Sequence, residues 1–327
     1  MRACQPEAKS TPLVSVVMGV YNVAPYVNAA VHSALLQTLT EIEVIVVDDG
    51  STDETAEIVG CIQDPRLRVI KREHFGAAAT LNAGVAQARA PYIAFLDGDD
   101  VWLPDRLSRH LQFMEAHPGA DLSFSLSRLI GEDSADLGIT SRAASGPVRF
   151  EDLLVDNRIG NGSAVMVRRA SLTEVGAFEE GLRGAYDLDV WLRLALRRTD
   201  CVFCIPEVLT CYRRRQGQIT QNWRLMADNW MKVLDKYRRQ DPARVAPLEA
   251  RARCNLYRYL AAGAYEGGEF RAGLGLIGRS LQAHPGLFLS TPRSYLISGG
   301  LLAGAVLPLS VRARLEAAFR SIWRRLT

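Results

Sequence analysis

The sequence predicts an α/β fold: a mostly parallel, Rossmann-like sheet covered by helices on both faces, followed by a helical C-terminal extension. Three observations predict it. Short β-branched apolar runs alternate with helix-periodic segments through the first 130 residues. Two of those runs end abruptly in aspartates. From about residue 223 a charged helical periodicity replaces the alternation. At 327 residues the chain has room for two domains. The pattern divides it into an α/β unit at 1–222 and a helical region at 223–327.

The elements follow in order. Residues 13–20 form an apolar strand, turned by Tyr21-Asn22. Pro25 sits where a helix begins, and Val27, Val31 and Leu35 recur every four residues. Residues 42–48 are a second, β-branched strand. Ser51 followed by Glu54 then predicts a capping box opening a helix to about Ile62. A third strand spans 67–71, a helix of small residues about 77–88, and a fourth strand 92–96. Pro104 opens a helix with Leu107, Leu111 and Met114 on one face, and 120–129 form a fifth strand. Residues 131–146 are polar and punctuated by glycine, a surface loop or hairpin. Residues 163–167 and 201–211 are strand-like, and between them a helix with an acidic first turn starts at Asp187. Residues 261–285 resemble a helical hairpin.

The two acidic strand ends carry the chemistry. One run ends in Asp97-Gly98-Asp99-Asp100, the other in Asp48-Asp49-Gly50. Carboxylate oxygens are hard ligands for Mn²⁺ or Mg²⁺, and Gly98 lets backbone and ligand approach closely. Ligands of open α/β sheets bind beyond the carboxyl ends of the strands, so both loops belong on one edge. Helix capping would account for Asp48 and Asp49 alone, less well for two such ends in one short domain. A net charge of +3 makes no case for nucleic acid. Cysteines at 4, 61, 201, 204, 211 and 254 show no disulfide framework. Cys201 and Cys204 form a C-x-x-C inside an apolar run, and core packing explains them better than zinc or redox chemistry. Residues 1–12 are polar and predict no secretory leader, which with the cysteines predicts a cytoplasmic protein. No G-x-G-x-x-G follows the first strand and no G-x-x-x-x-G-K-[ST] occurs, which argues against dinucleotide and P-loop enzymes.

Four motifs occur in order: Tyr21-Asn22 after the first strand, Val47-Asp48-Asp49-Gly50-Ser51-Thr52-Asp53, Asn82-Ala83-Gly84, and Phe95-Leu96-Asp97-Gly98-Asp99-Asp100-Val101-Trp102-Leu103-Pro104. Over about residues 12–220 the chain resembles a family 2 glycosyltransferase with the GT-A fold. The resemblance implies inverting transfer of a sugar from a UDP-, dTDP- or GDP-sugar to a hydroxyl acceptor, with Mn²⁺ or Mg²⁺. It also implies a place in bacterial cell-surface polysaccharide or lipopolysaccharide synthesis. By motif, Asp49 would bind the base, with the loop from Gly19 to Tyr21 packed against it. Asp97 and Asp99, flanking Gly98, form the D-x-D. Asp99 would ligate the metal, Asp97 would contact ribose or the metal through water, and Asp100 would assist. Asp187, ahead of Trp191-Leu192-Arg193, would be the general base, with Asp189 its competitor and Tyr186 where the family carries Glu. In the basic segment Tyr212-Arg213-Arg214-Arg215, Arg215 stands where a histidine is usual. Arg213 and Arg215 are then candidates for the donor diphosphate. Residues 12–130 would hold the nucleotide and 131–222 the acceptor, a saccharide or lipid-linked saccharide. Trp102 is expected to pack, and His74 to be a solvated loop histidine near the mouth.

Two alternatives use the same residues. One is a catalytically inactive binding or scaffold subunit, suggested by Tyr186 and Arg215. The other is a sugar nucleotidyltransferase, which would want a glycine- and basic-rich loop where Gly19-Val20-Tyr21-Asn22 stands. The C-terminus adds an expectation of its own. Residues 311–327 hold five arginines and one glutamate, with Leu315, Phe319, Ile322 and Leu326 on one helical stripe and Trp323 beside it. Residues 294–311 carry no charge but are interrupted by Gly299, Gly300, Gly304 and Pro308. Peripheral contact with an anionic membrane surface is the expectation, against a helical cap or a spanning segment.

Overall fold

A computed structural model describes residues 11–307 apart from Ser145. β1 (Val14–Val20), β2 (Ile42–Asp48), β3 (Leu67–Lys71) and β4 (Tyr92–Phe95) follow the predicted runs closely. They pair in parallel in the order β3-β2-β1-β4. Beyond β4 the sheet becomes mixed. β8 (Val165–Arg168) runs antiparallel between β4 and β6 (Leu122–Ile130), which is parallel to β9 (Val202–Arg213). β5 (Val101–Trp102) pairs antiparallel with β9, and β7 (Asp136–Thr140) forms a hairpin with β6, one of the two readings left open for 131–146.

Alternation along the strands builds two cores. Val14, Val16, Met18 and Val20 point to the face covered by α1 (Ala24–Leu35) and α4 (Arg106–Ala116), meeting Val27, Val31, Leu107 and Met114. Val17, Ile45, Val47, Ile93 and Phe95 point to the other face, toward α3 (Ala77–Gln87) and α7 (Tyr186–Arg197). Gly84 sets how closely α3 approaches: a Cβ there would lie 2.4 Å from Val17 Cγ1. α5 (Phe150–Val155) and α6 (Arg169–Val175), which periodicity did not show, flank α7.

The capping box expected of Ser51 and Glu54 does not form. α2 spans Thr55–Gly60, and Glu54 makes no side-chain cap. Asp53 takes that role: its Oδ1 accepts from Thr55 N at 3.0 Å and its Oδ2 from Ala24 N at 3.1 Å. One carboxylate thereby serves the starts of both α1 and α2. Ser51 Oγ accepts instead from Asn22 N, in a turn where Asn22 has φ +50°.

The helical C-terminal region is continuous with the α/β unit. α8 (Trp223–Gln240), α9 (Pro242–Glu266), α10 (Phe270–Ala283) and α12 (Pro292–Val306) share the second core through Trp230, Leu234, Leu256, Leu260, Leu276 and Leu301. α11 (Pro285–Ser290) links the last two. The change at residue 222 is thus one of secondary structure, not of packing. Among the described residues no helix is long and apolar enough to cross a membrane. The apolar stripe and accompanying arginines predicted over 311–327 lie outside the described residues.

Candidate active site

The carboxyl ends of β1, β2 and β4 open on a cavity of about 900 Å³. Its far wall comes from the loop before α7, the segment after β9, and helices α8 and α9. The structure brings Gly19, Tyr21, Asp49, Asp97, Gly98, Asp99, Asp187 and Arg215 to this one space.

At the β2 end, Asp49 is buried and committed. Its carboxylate accepts from Phe75 N at 3.1 Å and Gly76 N at 2.9 Å, and His74 Nδ1 lies 2.8 Å from Oδ2. His74 also stacks on Tyr21, centroid to centroid 4.2 Å. His74 is the exposed loop histidine expected, its side chain 54% accessible, and it is also half of an aromatic platform held over the β1 end by Asp49. Gly19 faces α3, where an added Cβ would come within 3.2 Å of Thr80 Cγ2.

At the β4 end three carboxylates converge. Asp97 N donates to Ser163 Oγ at 3.0 Å, which fixes the loop. Burial first, then the charges of Asp99 and Asp187, push the Asp97 carboxyl up to about 7. Asp100 is fully buried. Its Oδ1 accepts from Arg213 N at 2.8 Å, its Oδ2 has no hydrogen-bond partner, and burial with its two neighbours raises it well above the carboxylate range. Gly98 is needed for steric reasons: a Cβ would sit 2.8 Å from Val20 Cγ1 and 2.9 Å from Val23 Cγ2.

The two arginines part company. Arg215 reaches the cavity, and its Nε donates to Asp99 Oδ2 at 2.6 Å, where Gln218 Nε2 also points at 3.5 Å. Arg213 is turned away. Its Nε donates to the Asp99 carbonyl, and its Nη1 to the carbonyls of Gly131 and Glu132 and to Ser134 Oγ. It is 2% exposed and does not line the cavity, so the expectation that it meets the donor is corrected: it braces the D-x-D loop.

Across the cavity, Ala185 at φ +57° starts α7 and sets its register. Asp187 faces the cavity, one carboxylate oxygen accepting from Leu188 N at 2.7 Å, and burial raises its affinity for a proton. Asp189, two residues on, points into the core. It binds Lys236 Nζ at 2.7 Å, Arg193 Nε at 3.0 Å and the Tyr237 hydroxyl at 3.2 Å. Tyr186 also lines the cavity and packs edge-on against Phe178. Trp102 packs as expected, its Nε1 bonded to the Ser163 carbonyl at 2.8 Å.

Residues not singled out from sequence complete the site. Ser163 and Gln218 hold the acidic loop. Trp230, Asn255 and Tyr259 reach the cavity from α8 and α9. None lies in a local pattern; only the folded chain joins them.

The carboxylates suit a hard divalent cation. Their mutual repulsion, visible in the raised Asp97 and Asp100, is what a cation relieves. The arrangement is not an all-protein cage, because no group of three His, Cys, Asp or Glu with ligand geometry occurs among the described residues. It fits one or two carboxylates sharing the ion with substrate phosphates and water, once Arg215 leaves Asp99.

Comparison with known proteins follows the geometry. A family model described as glycosyl transferase family 2 matches residues 15–175. A Bacillus subtilis glycosyltransferase named for teichuronic acid biosynthesis, TuaG, is 33% identical over 67% of this chain and 86% of its own length. An Escherichia coli protein named as the UDP-Glc:α-D-GlcNAc-diphosphoundecaprenol β-1,3-glucosyltransferase WfaP is 43% identical over 32% of this chain and 41% of its own. Two solved structures share the fold. A Pyrobaculum calidifontis mannosyltransferase in complex with GDP-Man and Mn²⁺ superposes with TM-score 0.58 and 20% identity, over 90% of this chain and 86% of that one. S. aureus TarS residues 1–349 gives 0.53 and 16%, over 89% and 91%.

Proposed function

The chain belongs to glycosyltransferase family 2, and we propose that it moves a sugar, with inversion, from a UDP-sugar to a hydroxyl of a lipid-linked saccharide in bacterial cell-surface polysaccharide synthesis. The observation that carries this reading is that Asp97 and Asp99 on one wall and Asp187 on the opposite wall share one cavity. Its volume of about 900 Å³ suits a donor and the reacting end of an acceptor. The relatives' names, one in teichuronic acid biosynthesis and one acting on a diphosphoundecaprenol-linked sugar, support the acceptor class.

Each residue then has a task. The Tyr21–His74 platform stacks the base, and Asp49 fixes that platform and the base edge. A divalent cation held by Asp99 and Asp97 would neutralise the diphosphate as it departs. Asp187 takes the proton from the acceptor hydroxyl as its oxygen bonds to the anomeric carbon and the bond to the diphosphate breaks. One displacement from the opposite side gives inversion. Burial makes Asp187 a stronger base than a solvated aspartate.

The Arg215–Asp99 ion pair favours a second reading, in which the guanidinium itself neutralises the diphosphate and no cation is needed. One panel separates them: binding and hydrolysis of UDP-, dTDP- and GDP-sugars with Mn²⁺ and in excess EDTA. UDP-sugar turnover that needs Mn²⁺ is expected. Equal turnover in EDTA selects the arginine reading, and no nucleotide binding at all removes both.

A further inference from the structure

The acidic loop already holds a cation of the protein's own. Arg215 Nε donates to Asp99 Oδ2 at 2.6 Å, and the two side chains are only 18% and 10% exposed, so water and salt screen the pair little. Burial and the charges of Asp99 and Asp187 raise Asp97, and the Arg215 charge opposes them. The backbone on either side of Arg215 is anchored. Arg214 pairs with Glu266 of α9, and Gln216 N donates to Glu132 Oε1 at 2.7 Å. The chain then turns at Gly217, φ +78°, and returns Gln218, whose Nε2 donates to the Arg213 carbonyl at 2.6 Å. The Arg215 side chain is held more simply. Its Nη1 donates to the neighbouring Gln216 carbonyl at 3.1 Å, its guanidinium stands 5.7 Å from the Tyr26 ring, and its one ion pair among the described residues is with Asp99.

Asp99 is thereby a point of competition. A divalent cation that takes its carboxylate must displace the guanidinium, and a nearly buried guanidinium left without an anion is costly. A cation arriving alone offers Arg215 nothing in exchange. A nucleoside diphosphate changes both sides of the balance. Its oxygens match the planar fork of a guanidinium. They also supply ligands that one or two carboxylates leave open around a divalent cation.

We propose that Arg215 is a placeholder cation: it pairs with Asp99 until a divalent cation and the donor diphosphate arrive together, then passes to the diphosphate as the cation takes Asp99. Both residues line the cavity, and Arg215 makes the move by rotating its side chain while the anchored backbone stays in place. The exchange makes nucleotide and cation bind cooperatively and disfavours the cation alone. It rests on the glycosyltransferase reading above and adds the regulation of its site. It differs from both readings given there, since arginine and cation serve in succession at Asp99 and together at the diphosphate.

The test is calorimetric titration of the full chain and of Arg215→Gln with Mn²⁺ alone, with UDP in EDTA, and with each in saturating amounts of the other. Arg215→Gln should bind Mn²⁺ alone about tenfold more tightly, and UDP in saturating Mn²⁺ about tenfold more weakly. UDP in EDTA and Mn²⁺ in saturating UDP should be unchanged. These four results close a thermodynamic cycle, so UDP should tighten Mn²⁺ about tenfold less in the variant, and Mn²⁺ should tighten UDP less by the same factor. Arg215 belongs to no helix or strand, so the substitution leaves the fold in place. Arg214→Gln removes a neighbouring charge that pairs with Glu266 instead, and should leave Mn²⁺ affinity unchanged. Equal tightening by Arg214→Gln would reduce the effect to general electrostatics and overturn the proposal. So would Mn²⁺ affinity indifferent to Arg215→Gln. UDP weakened as much in EDTA as in Mn²⁺ would make the arginine a diphosphate ligand from the start, and also overturn it. No UDP binding by either protein removes the donor reading and the exchange with it, whereas UDP binding with an unchanged cycle overturns the exchange alone.

Discussion

Two aspartates two residues apart, Asp187 and Asp189, show how little sequence separates a carboxylate that meets the cavity from one built into the core. Both sit in the first turn of α7, yet Asp187 meets the cavity and Asp189 meets Lys236, Arg193 and Tyr237. Asp187→Asn is expected to lower transfer by about 10²–10⁴-fold while UDP affinity and melting temperature hold, since the proposed base acts on the acceptor. Asp189→Asn is expected to do the reverse. It removes the charge paired with Lys236 and Arg193 and should cost about 3 kcal/mol, the low end for breaking a buried pair because Lys236 is partly exposed and Arg193 keeps its bonds to the carbonyls of Val175, Gly176 and Ala177. Turnover and thermal melts of both variants check this, and a crippled Asp189→Asn that melts normally would exchange the roles. A second expectation concerns Asp97, held at about 7. A raised carboxyl binds its proton more tightly folded than unfolded. Its contribution to stability is therefore lost as pH rises from roughly 4, the ordinary carboxylate value, to 7. A cation competes with that proton. Apparent Mn²⁺ affinity should climb by up to about tenfold per pH unit below 7 and flatten above it. Calorimetry between pH 5.5 and 8 reads the slope, and an affinity flat across that range would detach Asp97 from the cation.

At the scale of elements, the site depends on a loop tied down from a distance. Asn82 of α3 accepts from Phe178 N at 2.8 Å and donates to the Phe178 carbonyl and to Glu180 Oε1, both at 2.9 Å. These bonds anchor the segment that delivers Asp187. Asn82→Ala should cost about 1–2 kcal/mol and lower kcat about tenfold with UDP affinity kept, because the acceptor side is displaced and the donor side is not. Unchanged kcat with the loss of stability would make Asn82 structural only. The same bonds explain what was legible beforehand. β1 to β4 and the helices between them follow from local alternation and periodicity, and the acidic strand ends from the strands that carry them. The N-A-G motif was visible, but its partners 96 and 98 residues away were not. Likewise Asp53 outcompeted Ser51 and Glu54 for the α2 cap because one carboxylate reaches two helices, a fact absent from local spacing. Arg213 was read with Arg215 as one basic segment. On a strand adjacent positions alternate in direction, and two positions apart they diverge here because β9 ends at Arg213.

For the whole molecule, the C-terminal helices are part of the catalytic body. Ile297 and Leu301 of α12 are buried against the core shared by α9 and α10, and Leu301 Cδ2 lies where a Cβ on Gly273 would be, at 2.3 Å. Cutting the chain near residue 292 would therefore remove core contacts along with any membrane contact. A cut after residue 307 keeps α12 and removes only the segment expected to carry the apolar stripe and its arginines. In the helix expected there from sequence, Arg312, Arg320 and Arg324 would lie largely off the stripe of Leu315, Phe319, Ile322 and Leu326, an arrangement suited to lying in the headgroup plane. The exposed apolar residues of α12 are continuous in sequence with that stripe, and Tyr295 also suits an interfacial depth. A lipid-linked acceptor would then meet the enzyme in two dimensions, its sugar toward Asp187. Liposome flotation of the full chain and of the chain cut after residue 307, with anionic and with neutral lipid, tests the arrangement. The full chain should float with anionic lipid and be released by salt, since exposed charges more than about 10 Å from the surface are screened at 0.1 M. The shortened chain should stay down while keeping its melting temperature and its UDP affinity. Equal flotation of both would move the membrane contact to α12 itself, and no flotation of either would leave the stripe without a membrane role.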